Sequence, residues 1–305
     1  MDDFKLVVSS SPHINDADTI EKIMGGVVIA LAPATLAGIY IFGFHAFAVI
    51  IVSVLSAVLT EWIFQKLRNK PVTINDGSAI VTGLLLALSL PPELPLWMAA
   101  VGSGVAIGLG KQVYGGLGHN PFNPALVGRA FLVASFPAAM TTWINPIDGL
   151  TGATPLGMLK LEGISLDYMS LLIGKIGGCI GETSVIAILI GALYLFYKDY
   201  IDWRIPVSYL ATVAILTSVF GADPIFHLLS GGLMLGAFFM ATDMVTSPIT
   251  PKGKLIFGIG AGIVVVVIRL WGGLPEGVSY SILMMNGITP LINRFTRPRI
   301  FGKGR

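Results

Sequence analysis

Gly102-Ser103-Gly104-Val105-Ala106-Ile107-Gly108-Leu109-Gly110-Lys111-Gln112-Val113-Tyr114-Gly115-Gly116-Leu117 decides the fold, because the chain contains its echo. Gly104 stands seven residues before Lys111, and Gly262 of Gly260-Ala261-Gly262 stands seven before Arg269. Gly115-Gly116-Leu117 follows the lysine as Gly272-Gly273-Leu274 follows the arginine. Further upstream, the stretch from Gly83 to Pro92 resembles Gly236 to Asp243 with the following Pro248. Common order and near-common spacing point to a duplication. Gly104-x-x-x-Gly108 and Gly258-x-x-x-Gly262 fall at matching places, and small residues at that spacing let helices approach closely, so a packing role is expected for them.

The sequence around these two stretches is membrane-like. Of 305 residues, 54% are hydrophobic and 12% charged, with a mean hydropathy of +0.81. Soluble domains carry about 25% charged residues. Apolar residues gather into segments of roughly 17 to 22 positions, the length a helix needs to cross a bilayer core. Ten spans are read, at 23–42, 46–64, 76–90, 96–111, 123–140, 182–198, 205–221, 225–241, 255–270 and 278–293. The expected fold class is therefore an all-α integral membrane protein of about ten transmembrane helices in two inverted five-helix repeats. Five spans per half is an odd number, so duplicated halves insert with opposite topology around a site near the midplane. Several spans are short or interrupted by Gly and Pro, which lipid tolerates only where neighbours satisfy the freed backbone.

The expected organisation is a cytoplasmic N-terminal segment (1–22), a first repeat (23–140), an external loop region (141–181), a second repeat (182–293) and a basic cytoplasmic tail (294–305). The charges of 1–22, including Asp16, Asp18, Glu21 and Lys22, read against a cleavable signal peptide. Fifteen of the 19 lysines and arginines fall on one side if both termini are cytoplasmic. Lys160, Lys175 and Arg269 fall on the other, and Arg129 within a span. The net charge of +2 gives no reason to expect a nucleic-acid partner. Cys179 is the single cysteine, which excludes an intrachain disulfide or an iron–sulfur cluster held by this chain alone.

Few residues invite chemistry. The loop Asp148-Gly149-Leu150-Thr151-Gly152-Ala153-Thr154-Pro155-Leu156 reads, from its residues, as a polar turn outside a membrane. Arg129 is an intramembrane cation, open to two readings: a phosphate or reduced-ring contact, or a structural ion pair. Asp76, Glu182 and Asp243 sit at span edges, with Glu61 near the inner end of the second span. Oxygen ligands suit Na+, but acids at span ends also meet water or cap helices, and Asp76 before Gly77-Ser78 reads as a cap. Lys111 and Arg269 are expected to snorkel to opposite interfaces. The four histidines offer no ligand pair at helical spacing. A phosphate loop around Gly110-Lys111 fails, with Val105 where the first glycine is required and Gln112 where Ser or Thr should follow. Asn120-Pro121 and Asn123-Pro124 read equally as cavity lining or as helix caps.

In order along the chain, Phe122-Asn123-Pro124-Ala125-x-x-Gly128-Arg129, Asp148 to Thr154, Gly181-Glu182-Thr183-Ser184 and Thr242-Asp243-Met244-Val245-Thr246-Ser247-Pro248 resemble the NqrB/RnfD family. These are the D subunits of Rnf ion-translocating oxidoreductases and the related B subunits of Na+-pumping NADH:quinone reductases. The resemblance covers nearly the whole chain. It implies FMN joined to Thr154 by a phosphoester, placed there by a flavin transferase, with Asp148, Thr151, Gly152 and Ala153 as the surrounding signature and no bond to Thr151. It implies an electron carrier that is enzymatically active only within a whole complex coupled to Na+ or H+ movement. The implied partners are iron–sulfur subunits, a soluble NAD-binding subunit and a second flavinylated subunit, in the cell membrane with the flavin loop outside. It leaves open a second, non-covalent flavin or riboflavin. A short N-terminal segment favours the Rnf member of the family over the quinone-reductase member, and a passive channel or transporter on the same repeat is the non-redox alternative.

Overall fold

The computed structural model describes residues 18–146, 150–163, 167–174, 176–182, 184–273 and 277–298. It is predominantly helical. The first half contains α1 (Ile20–Phe42), α2 (Phe44–Leu67), a 3-10 turn at Ile74–Asp76, α3 (Ser78–Leu88), α4 (Leu96–Ile107) continued by a π turn at Gly108–Gln112, α5 (Pro124–Ser135) and α6 (Pro137–Met140). The connection holds β1 (Trp143–Ile144), β2 (Thr151–Gly152), α7 (Pro155–Glu162) and α8 (Tyr168–Ile173). The second half contains α9 (Val185–Tyr197), α10 (Arg204–Val219), α11 (Pro224–Leu229), α12 (Leu233–Leu235) continued by a π turn at Gly236–Met240, α13 (Pro251–Trp271) and α14 (Val278–Thr296).

Among the described residues, α1, α2 and α13 are long and apolar enough to cross a bilayer. Their outward faces carry large apolar side chains such as Leu36, Leu55, Leu59 and Ile263, exposed by 66%, 62%, 56% and 45%. Apolar surface of that extent is unsuited to water and suits lipid. Together with the apolar composition, it makes this a membrane protein.

Several sequence-read spans turn out to be half-helices. The 11 residues of α3 rise about 16 Å, roughly half of a 30 Å hydrocarbon core. At its end Ser89 turns the chain into Pro91-Pro92, and the freed carbonyls are taken up by another segment: Gly181 N–H donates to Leu88 O (2.7 Å) and Ile180 N–H to Leu90 O (3.0 Å). The span read at 225–241 is likewise broken. It stops after Leu229, turns through Gly231 and Gly232 at φ 69° and 65°, and restarts as α12. Arg269 satisfies this break by donating to His227 O (2.5 Å) and Ser230 O (2.8 Å). The span read at 123–140 is interrupted at Phe136 before Pro137, whereas α13 and α14 run slightly past the ranges read for them.

The long helices anchor these pieces. α2 packs on α3 and α4, α10 on α13, α1 on α9, and α5 on α14. The glycine pairs do the packing expected of them. A Cβ on Gly258 would strike Ser208 Oγ, and one on Gly262 would strike Thr212 (2.6 Å), both on α10. Gly104 on α4 faces Thr60, and Gly108 at the start of the following π turn faces Phe64, both on α2.

Candidate functional site

Thr154 is the N-cap of α7. Its backbone is extended (φ −63°, ψ 161°), its Oγ accepts from Gly157 N–H (3.2 Å), and Pro155 occupies the first helical position, where its missing N–H costs nothing. The short strands lead into this cap: β1 and β2 pair antiparallel, Ile144 opposite Thr151 and Trp143 opposite Gly152. Thr151 and Gly152 are exposed on β2, Ala153 is half-buried, and Thr154 is 4% exposed. Asp148 lies outside the described residues.

Thr154 is buried against a cavity of about 240 Å3 whose lining includes Ala153, Arg129, Met140, Trp143 and Tyr280. Arg129 comes from α5 and Tyr280 from α14, so the first half, the connection and the second half of the chain all contribute. A phosphate on Thr154 Oγ would sit at the positive N-terminal end of α7, where helix amides favour anions. A guanidinium in the same wall adds a second anion-binding group. The aromatic rings of Trp143 and Tyr280 supply flat apolar surface. The donor set fits the phosphate of a flavin phosphoester.

The rest of α7 is docked. Leu156 joins Leu171, Ile176 and Phe226 in a small apolar cluster, and Lys160 Nζ donates to Arg269 O (3.3 Å) and to Gly272 O. These carbonyls end α13, where a cation is favoured.

The three acids weighed for ion coupling are not brought together. Asp76 Oδ1 accepts from Ser78 N–H (2.8 Å) beside an open vestibule that Gln65 and Gln112 also line. Asp243 lines an inner cavity of about 90 Å3, its carboxylate taking Val245 N–H (3.3 Å) and Thr246 Oγ–H (3.0 Å). Glu182 lies in the turn before α9, accepting from Cys179 N–H (2.8 Å) with its other oxygen against Gly232. Asn123 caps α5 through Ala125 and Leu126 N–H while also lining the inner cavity. Among the described residues no group of three or more His, Cys, Asp or Glu side chains is placed to hold a metal.

Two expectations are overturned. Lys111 does not snorkel: it is 1% exposed, with its Nζ 2.7 Å from Glu61 Oε1, 2.9 Å from Oε2 and 2.6 Å from Ser78 Oγ. Arg269 does not snorkel either, at 4% exposure and bound to the α11 carbonyls. Burial among oxygen acceptors outweighs the reach of either side chain to an interface. Tyr280 and Trp143 were missed from the sequence, and Tyr280 has no local signal that could tie it to a threonine on a distant loop.

The profile of the NQR2, RnfD, RnfE family matches residues 7–302. The chain is 52% identical to the D subunit of the proton-translocating ferredoxin:NAD(+) oxidoreductase complex of Clostridium ljungdahlii, across 98% of this chain and 96% of that one. It is 53% identical to the D subunit of the Na(+)-translocating ferredoxin:NAD(+) oxidoreductase complex of Acetobacterium woodii, across 99% and 97%. The D subunit of the ion-translocating oxidoreductase complex of Stutzerimonas stutzeri is 44% identical across 93% of each chain. The motifs that run in order from Phe122 to Pro248 thus belong to a full-length match, and the chain belongs to the NQR2, RnfD, RnfE family.

Proposed function

We propose that this chain is the membrane electron-carrying RnfD component of an Rnf-type ion-translocating ferredoxin:NAD+ oxidoreductase complex, bearing FMN as a phosphoester on Thr154. The observation that carries the reading is the convergence of Thr154 and Arg129 on one cavity, with the Thr154 hydroxyl at the N-terminus of α7. The full-length similarity to chains named as D subunits of such complexes supplies the context. The flavin, when bound, supplies the redox chemistry. The protein holds the phosphate with α7 and Arg129 and shapes the ring's surroundings with Trp143 and Tyr280.

The arrangement within the membrane is proposed as two inverted five-span repeats with both termini cytoplasmic and α7 on the outer face of the cell membrane. The lysine and arginine asymmetry supports it, as does the recurrence of a broken helix in each half, at α3 and at α11–α12. Partners are then required on both sides: iron–sulfur subunits, a soluble NAD-binding subunit, a second flavinylated subunit, and a flavin transferase for maturation. Relatives of nearly equal identity are named for H+ and for Na+, so similarity does not choose the ion.

The test is flavin fluorescence of the denatured chain, compared with Thr154→Ala. Retention on the wild type and loss from the variant supports the assignment. Equal fluorescence in both overturns it.

A further inference from the structure

The nucleophile of the proposed modification is hidden. Thr154 is 4% exposed and faces the cavity, with its Oγ accepting from Gly157 N–H. Modification forms a bond from Thr154 Oγ to the phosphorus of a flavin activated as a phosphoanhydride. The anhydride P–O bond breaks, the departing phosphate keeps the bonding pair, and the Thr154 proton goes to a base on the transferase. No electrons change hands. A transferase active site must surround the hydroxyl to do this. A cavity of about 240 Å3 has no room for the catalytic loop of another protein.

We propose that Thr154 is modified only while α7 is lifted off the body of the protein, and that the Lys160 contact with the end of α13 is the latch that sets how often α7 lifts. The inference rests on Thr154 being the flavin site. Two contacts hold α7 down: Leu156 in its apolar cluster, and Lys160 on Arg269 O and Gly272 O. Eight residues are too few for a stable isolated helix. Undocked, the segment from Ala153 to Lys160 loses its helical support and presents Thr154 on an extended strand that an active site can enclose. On redocking, the phosphate returns to the α7 N-terminus opposite Arg129. The device is thus a loading door that closes behind its cargo.

Lys160 is the residue to test because its side chain is exposed, so its truncation leaves the apolar cluster intact. Full-length protein is made without the transferase, reconstituted in lipid nanodiscs, and incubated with purified transferase and FAD. Covalent flavin is followed by in-gel fluorescence. Lys160→Ala is expected to raise the initial rate roughly fivefold, the factor that one hydrogen bond contributes to an opening equilibrium. Lys160→Arg, which keeps a cationic donor, is expected to stay near the wild-type rate. Amide exchange at Met158 and Leu159 in the unmodified protein should rise in Lys160→Ala by the same factor. Equal or slower flavinylation in Lys160→Ala overturns the latch while leaving the flavin site standing. A wild-type chain that takes up no flavin overturns both.

Discussion

Glu61 on α2 and Lys111 in the π turn that ends α4 form an ion pair at 2.7 Å, with 1% of each side chain exposed. The remaining hydrogen-bonding capacity is spent locally: Lys111 also reaches Ser78 Oγ on α3, and Gln112 Nε2 donates to Glu61 Oε1 (2.9 Å). Three helices are therefore pinned at one polar point. A buried pair is expensive to break and cheap to replace as a unit, because the cost lies in stranding one charge.

Lys111→Met should accordingly destabilise the protein by about 3–5 kcal/mol, while Glu61→Gln combined with Lys111→Met recovers most of that loss. Thermal unfolding of the single and double variants in detergent measures the difference. A double variant as unstable as Lys111→Met would show that packing, not charge pairing, dominates here.

Gly258→Ala should loosen α13 from α10. The new Cβ would collide with Ser208 Oγ and lie 2.8 Å from Ile205 O, a backbone atom that cannot swing away. Overpacking of this kind costs about 1–3 kcal/mol. Gly25→Ala, with nothing within 4 Å of its Cβ, is the matched control and should be near neutral. Similar melting temperatures for the two variants would contradict the close approach.

The contact between α8 and α11 should depend on pH. Tyr168 Oη donates to Asp223 Oδ2 (2.5 Å), and this bond pushes the tyrosine above its usual range. Burial pushes Asp223 up, but the Tyr168 hydroxyl and the Phe226 and Ile225 N–H groups outweigh it and hold the carboxyl below its usual range. A lowered carboxylate contributes stability above its unfolded value and loses it as pH falls through the folded one. A raised tyrosine contributes below its unfolded value and loses it as pH rises through the folded one. The contact should hold across neutral pH and weaken below the usual carboxylate range, and Tyr168→Phe should remove most of that acid sensitivity. Amide exchange across α8 as a function of pH reads this, and an unchanged profile in Tyr168→Phe would rule the contact out as its source.

The membrane class was legible because composition and segment length depend on residue type alone. The packing role of Gly258 and Gly262 was legible for a similar reason, since their spacing puts both on one helix face. The fate of Lys111 and Arg269 was not. A lone cation in an apolar run can reach an interface or find a buried acceptor, and the choice depends on Glu61, 50 residues away, and on the carbonyls of a helix break. The same holds for the cavity. Thr154 and Arg129 were each visible as residues, but the wall they share with Tyr280 exists only where α5, the start of α7 and α14 border one cavity. Asp76, Glu182 and Asp243 looked alike because each ends a span; the fold separates them into a turn, a loop pin and a cavity wall.

The most direct measurement is the mass of the intact, denatured chain from cells containing the transferase, with the modified peptide located by fragmentation. The expected result is an added flavin mononucleotide on the peptide containing Thr154, absent from Thr154→Ala and retained in Thr151→Ala. An unmodified chain, or a flavin located on Thr151 or elsewhere, would contradict the assignment of Thr154 as the carrier of the electron-transferring group.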